Sequence, residues 1–226
     1  MNVAVAILCG LAGIPVGAFL NVVVERVPDR LPLRGAPRQE RDARWLAVEL
    51  VTVLVFGVLG GVFGDTEAVV PLLVLGAALV AVSAVDIELY RIPDRITFPA
   101  LGIAAVSLVV VSLTLDLTGA LGSALVGAGA YFAILLVAHL ASPRGMGFGD
   151  VKLALLMGLF LGWWGYVTGP PVAEPIRLVL NALILGCLLG VVFGVAHRVV
   201  TKARDGFPFG PSLAVGCLVV LILAAP

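Results

Sequence analysis

The sequence predicts an all-α fold, a polytopic transmembrane helical bundle of about eight spans, and three observations carry that prediction. Of its 226 residues, 61% are hydrophobic and only 12% are charged, against about 25% charged in a soluble globular domain. That composition leaves too few polar side chains to cover a surface facing water. Apolar stretches of spanning length recur along the chain, separated by connectors rich in Pro and Gly. Lys and Arg are concentrated in every second connector.

A hydrocarbon core about 30 Å thick requires roughly 20 apolar residues per helix. By that measure the spans fall at about 2–25, 45–63, 68–86, 96–114, 118–140, 150–167, 175–197 and 208–225. The first has no basic flank before it. Its first cation, Arg26, follows the apolar run, so the segment reads as a retained helix with its N-terminus outside rather than a secretory signal. Breakers mark the connectors: Pro28, Pro32 and Pro37 after the first span, and Pro93 after the third. Pro143, Gly145, Gly147 and Gly149 follow the fifth, Gly169, Pro170 and Pro171 the sixth, and Gly206, Pro208, Gly210 and Pro211 the seventh. No connector is long enough to bury a core of its own, so residues 1–226 read as a single membrane-embedded domain, with a short cytoplasmic loop over 27–44. Cys9, Cys187 and Cys217 lie singly inside apolar runs, which points to neither a disulfide framework nor a metal site.

Orientation follows from the cations. The first connector holds Arg26, Arg30, Arg34, Arg38, Arg41 and Arg44, the third Arg91 and Arg95, the fifth Arg144 and Lys152, and the seventh Arg198, Lys202 and Arg204. Of the fourteen basic residues only Arg177 falls on the other side, among Asp65, Glu67, Asp116 and Glu174. Miscounting one span would scramble this partition. The expectation is a multi-pass protein of the cytoplasmic membrane with both termini outside, surrounded by lipid and without a nucleic-acid partner.

Two polar segments then share the cytoplasmic edge. One runs from Asp86 to Asp94 through Ile92 and Pro93; the other is Gly145-Met-Gly-Phe-Gly-Asp150-Val-Lys152. An ionisable group at a span end is costly unless hydrated or paired, which makes it a functional candidate. Glycines before Asp150 permit close backbone approach, here toward Asp86. Two carboxylates about 3 Å apart share a proton, so one can activate water while the other polarises a peptide carbonyl. Glu88 and Asp94 compete with Asp86 for the first seat, and Asp94, following Pro93, also suits a helix start. The plainer alternative for each carboxylate is a solvated residue beside Arg or Lys, favoured by a helix dipole. Asn21, Asn181, His139 and His197 read first as interhelical hydrogen-bonding groups. His139 is additionally a candidate for supporting Asp150.

At these residues the sequence resembles the type IV prepilin peptidases, membrane aspartic peptidases of the GxGD type. Gly17-Ala-Phe-Leu-Asn-Val-Val-Val-Glu-Arg-Val-Pro28, including Asn21 and Arg26, resembles that family's first-helix signature. Asp86 to Asp94 resembles its D-x5-(I/L)-P-D motif, Gly147-Phe-Gly149-Asp150 with Lys152 its GxGD motif, and Phe207-Pro-Phe-Gly-Pro211 its late loop. The resemblance implies Asp86 and Asp150 as the catalytic pair. It also implies a prepilin or pseudopilin substrate, cut on the cytoplasmic face between a short basic leader and an N-terminal hydrophobic helix. Many bacterial members carry a longer first loop with two CxxC pairs and also methylate the new N-terminus with S-adenosylmethionine. Here the loop is short and has no cysteine. Arg44-Trp-Leu-Ala-Val-Glu49 still resembles the stretch opening the second span, and Glu49 stands as a candidate for methyl transfer or a helix-start carboxylate. Peptidase activity is expected, without zinc or other cofactor, and S-adenosylmethionine only if methyl transfer is retained. Glu25, Asp29, Glu40, Asp42 and Glu88 are candidates to attract a basic leader. A carrier or assembly component would favour ionisable groups at mid-membrane and a repeat of broken helices; the sequence shows neither.

Overall fold

The computed structural model describes residues 2–33, 42–143, 146–201 and 208–225, and among these the chain forms eight α-helices and no strand. They are α1 (Val3–Arg26), α2 (Ala43–Phe63), α3 (Val69–Leu89), α4 (Asp94–Thr114), α5 (Gly119–Ala141), α6 (Phe148–Thr168), α7 (Ala173–Thr201) and α8 (Gly210–Leu223). Expectations placed on Arg34, Pro37, Arg38, Glu40, Arg41, Arg144, Gly145, Lys202, Arg204, Gly206 and Phe207 lie outside the described residues, as do those on the side chains of His197 and Arg198. Seven of the helices are long and apolar enough to cross a membrane. The eighth is shorter than its expected span, with 14 residues, about 21 Å at 1.5 Å per residue. Gly210-Pro211 sets its start, because proline is accommodated in a first turn and not beyond it.

The helices divide into central and peripheral. In α3 and α6, 61% and 67% of the spanning window is buried, against 28–39% in the other five spanning helices. Leu75, Leu79 and Val85 of α3 and Leu153, Leu156, Met157 and Phe160 of α6 are fully or almost fully enclosed. Leu8, Leu54, Val106, Leu125 and Val191, by contrast, stand exposed on peripheral helices. An apolar outer shell of this kind is matched to lipid rather than to water.

Lipid tails are as apolar as leucine, so these helices are held by close packing and interhelical hydrogen bonds. The α1–α2 hairpin closes along Gly10, Gly13 and Gly17. A Cβ at Gly13 would stand 2.9 Å from Val53 Cα, and one at Gly17 would stand 2.9 Å from Glu49 Cα. The α5–α6 hairpin uses Gly127 against Gly158 and Gly162 in the same way. Hydrogen bonds fasten the rest: Trp163 Nε1 donates to Ser112 Oγ at 2.8 Å, joining α6 to α4, and Trp164 Nε1 donates to the Ala224 carbonyl at 3.1 Å. Up-and-down connection then gathers the last turns of α1, α3, α5 and α7 with the first turns of α2, α4, α6 and α8. Among the described residues outside the spans' interiors, the cations Arg26, Arg30, Arg44, Arg91, Arg95 and Lys152 all belong to this end.

Candidate active site

At that end α3 stops sharply. Tyr90 takes a left-handed conformation (φ 52°, ψ 37°), and its N–H donates to the Asp86 carbonyl at 2.9 Å. Arg91, Ile92 and Pro93 turn the chain into α4, which begins at Asp94. Asp86 therefore sits in the last turn of α3, its side chain turned inward, and the residue is only 5% exposed. A carboxylate so enclosed needs a donor. It has one from 124 residues away: the Gly210 N–H donates to Asp86 Oδ2 at 2.9 Å. Gly210 opens α8, and the amides of a first helical turn have no partner within their own helix. Glycine keeps that approach open, since a Cβ would stand 2.9 Å from the same Oδ2 and displace the carboxylate.

Asp150 lies in the first turn of α6 and is 7% exposed. Gly147 caps that helix in extended conformation, and the Asp150 N–H donates back to its carbonyl at 3.2 Å. Gly149 meets the α3–α4 turn so closely that a Cβ would stand 2.8 Å from Ile92 Cβ. A Cβ on Gly210 would in turn stand 3.4 Å from Ile92 Cδ1. One isoleucine is thus packed against the glycine before Asp150 and the glycine that holds Asp86. Asp86 and Asp150 are thereby linked through a single side chain. Among the described residues at this end of the bundle, they are the buried acids.

Their competitors sit elsewhere. The Asp94 side chain is 52% exposed, and its Oδ1 receives Lys152 Nζ at 2.6 Å. Lys152 lies between the rings of Phe98 and Phe148, at 5.6 and 5.1 Å from their centroids. Asp94 and Lys152 thereby tie α4 to α6 beside the site, and Pro93 is the cap residue of α4. Glu88 is outward and paired with Arg44 at 2.6 Å, which ties α3 to α2. His139 supports the segment before Asp150: its Nδ1 bonds the Met146 carbonyl at 2.8 Å, and its ring lies 5.4 Å from that of Phe148. Asn21, Arg26 and Glu49 gather on the α1–α2 hairpin instead. Asn21 is fully buried and donates to the Trp45 carbonyl at 3.1 Å; Arg26 Nη1 donates to the Pro32 carbonyl at 2.8 Å; Glu49 is half-buried across from Gly17. Asn181 is exposed on α7.

Sequence reasoning missed two parts of the site. The Gly210 amide lay inside a quoted motif, but nothing local indicated that it would serve Asp86. Ile92 looked like an ordinary apolar residue before a proline. Only their packing reveals either role.

A multi-pass bundle with two enclosed carboxylates at one end defines a class: a polytopic membrane protein with an acid site at the membrane edge. Residues 73–195 match the model of the type IV leader peptidase family, and the chain belongs to that family. It is thus a membrane protease, a multi-pass protein of the inner membrane. It is similar to a prepilin leader peptidase/N-methyltransferase of Burkholderia pseudomallei, with 30% identity over all of this chain and 87% of the relative. It also resembles proteins of the same name from Pseudomonas aeruginosa (26% identity; 96% of this chain, 90% of the relative) and Bacillus subtilis (28%; 78% and 64%). The Burkholderia alignment extends over 291 positions for 226 residues here, so that relative carries segments this chain lacks. No solved structure matches.

Proposed function

We propose that this chain is an aspartic endopeptidase that cleaves the short basic leader from prepilin-like or pseudopilin precursors at the cytoplasmic face of the membrane, with Asp86 and Asp150 as its catalytic pair. One observation carries the assignment: two enclosed acids of the central helices, one following Gly149 and one held by Gly210, are linked through Ile92, against which both glycines pack, while Glu88 and Asp94 are turned outward into ion pairs. One carboxylate, ionised, takes a proton from the attacking water; the other, protonated, donates to the scissile carbonyl. The tetrahedral intermediate then collapses as a proton passes to the leaving amine. The Gly210 amide holds Asp86 in orientation throughout, and Gly149, packed on Ile92, fixes the start of α6 that carries Asp150. Glu49, Asn21 and Arg26 belong to a separate polar group on the α1–α2 hairpin, to which we assign no step in peptide hydrolysis. In our reading cleavage needs no cofactor.

The test is cleavage of a prepilin-like precursor by the full-length protein reconstituted in liposomes. Asp86→Asn and Asp150→Asn are each expected to lower the rate by about 10²–10⁴-fold, with unchanged helical content. Asp94→Asn should retain most activity. Full activity in Asp86→Asn with loss in Asp94→Asn would transfer the first seat to Asp94. Mass spectrometry of the product is expected to show an unmethylated N-terminus.

A further inference from the structure

A peptidase that cuts just before an apolar helix must hold that helix in lipid while the bond to be cut reaches the acids. The bundle has a groove suited to this, between α2, α3 and α8. Its cavity of ≈ 380 Å³ is lined by small and medium apolar residues, among them Val51, Val55, Val80, Ala84, Ala214 and Val215. On α2 it extends from Arg44 to Val55, eleven residues or about 16 Å. Its inner end closes where Gly76 lets α3 approach Val55 and Leu59, a Cβ there meeting Val55 Cγ1 at 2.8 Å.

The outer end opens beside the candidate acids. Ile87 and Glu88 line it on α3, one and two residues beyond Asp86, and Pro211 lines it on α8, next to the Gly210 whose amide holds Asp86. Arg44 and Glu88 pair across this mouth. A lipid chain would need only the apolar floor. Continuity of that floor, through two separate elements, with the residues around Asp86 favours a peptide that must end at those acids.

Resting on the peptidase reading above, we infer that the α2–α3–α8 groove seats the first two to three turns of the substrate's hydrophobic helix, so that the helix's N-terminal end meets Asp86 and Asp150. The groove then sets which precursors are accepted. Glu88, on release from Arg44, is the acid placed to receive a cation of the leader.

Photo-crosslinking in the full-length, liposome-embedded protein tests this. A benzophenone amino acid at Val51 or Val215 is expected to capture the precursor through its hydrophobic helix, whereas one at Leu54, on another face of α2, is not. Adducts to phospholipid alone at Val51 and Val215, or equal capture at Leu54, would overturn the inference. Val51 and Val215 are 45% and 43% exposed, so tryptophan at either fills the groove without entering the core. Val51→Trp and Val215→Trp should raise KM for the precursor by about tenfold, while Leu54→Trp leaves it unchanged. An unchanged KM in both groove variants counts against the seat. Capture needs no chemistry and is read equally in Asp150→Asn. If capture persists at the groove while the Asp→Asn variants still cleave, the acid assignment fails and the groove stands; loss of capture with inactive Asp→Asn variants gives the reverse.

Discussion

Single side chains at this site are distinguished by what surrounds them rather than by type. Four acids occupy the stretch from Asp86 to Asp94 and the start of α6; two are enclosed and two reach outward to cations. The flanking glycines are equally unequal. A Cβ at Gly149 would press on Ile92, but one at Gly147 would come no nearer than 3.3 Å to Asp150 Oδ2, and Gly147 has an ordinary negative φ. Gly149→Ala and Gly210→Ala are therefore expected to reduce cleavage by about 10²-fold, the scale of a 1 Å misplacement. Gly147→Ala should cost far less. Steady-state cleavage rates compare the three directly, and equal losses would contradict the packing around Ile92.

At the scale of elements, the end of α3 holds the most strained residue near the site. Tyr90 occupies the left-handed region, where a side chain costs about 1–2 kcal/mol and glycine costs little. The Tyr90 ring is half exposed, so removing it sacrifices little packing. Tyr90→Gly is expected to raise thermal stability in detergent by a few degrees, and Tyr90→Val to lower it. The α1–α2 seam is less forgiving. Gly13 and Gly17 meet backbone, not flexible side-chain ends, so Gly17→Leu must push the helices apart. Overpacking of this kind costs about 1–3 kcal/mol, seen as a lower melting temperature and faster proteolysis of the α1–α2 connection.

For the whole molecule, burial and charge define two ends. The central helices α3 and α6 bring their acids to the end that carries all the described cations except Arg177. Arg177 is instead paired with Glu174, one helical turn away on α7. By the positive-inside bias, a cysteine introduced at Asp29 is expected to be protected from an impermeant thiol reagent in intact cells, while one at Asp116 is labelled. The three native cysteines lie within helices α1, α7 and α8 and are first replaced by alanine. Labelling at position 29 with protection at position 116 would reverse the orientation and move the acids to the outer face.

The sequence by itself determined what depends on composition and order: helices rather than strands, their number and near boundaries, the segregation of charge, and the two segments bearing Asp86 and Asp150. Each of these follows from local hydropathy, from Pro and Gly as breakers, and from the energetic cost of charge in lipid. The length of α8, the outward pairing of Glu88 with Arg44 and of Asp94 with Lys152, and the Gly210 amide on Asp86 were decided by tertiary structure. So was the groove between α2, α3 and α8. These features depend on which faces of separate helices meet, and in a nearly uniform apolar sequence every face looks alike until close packing selects one.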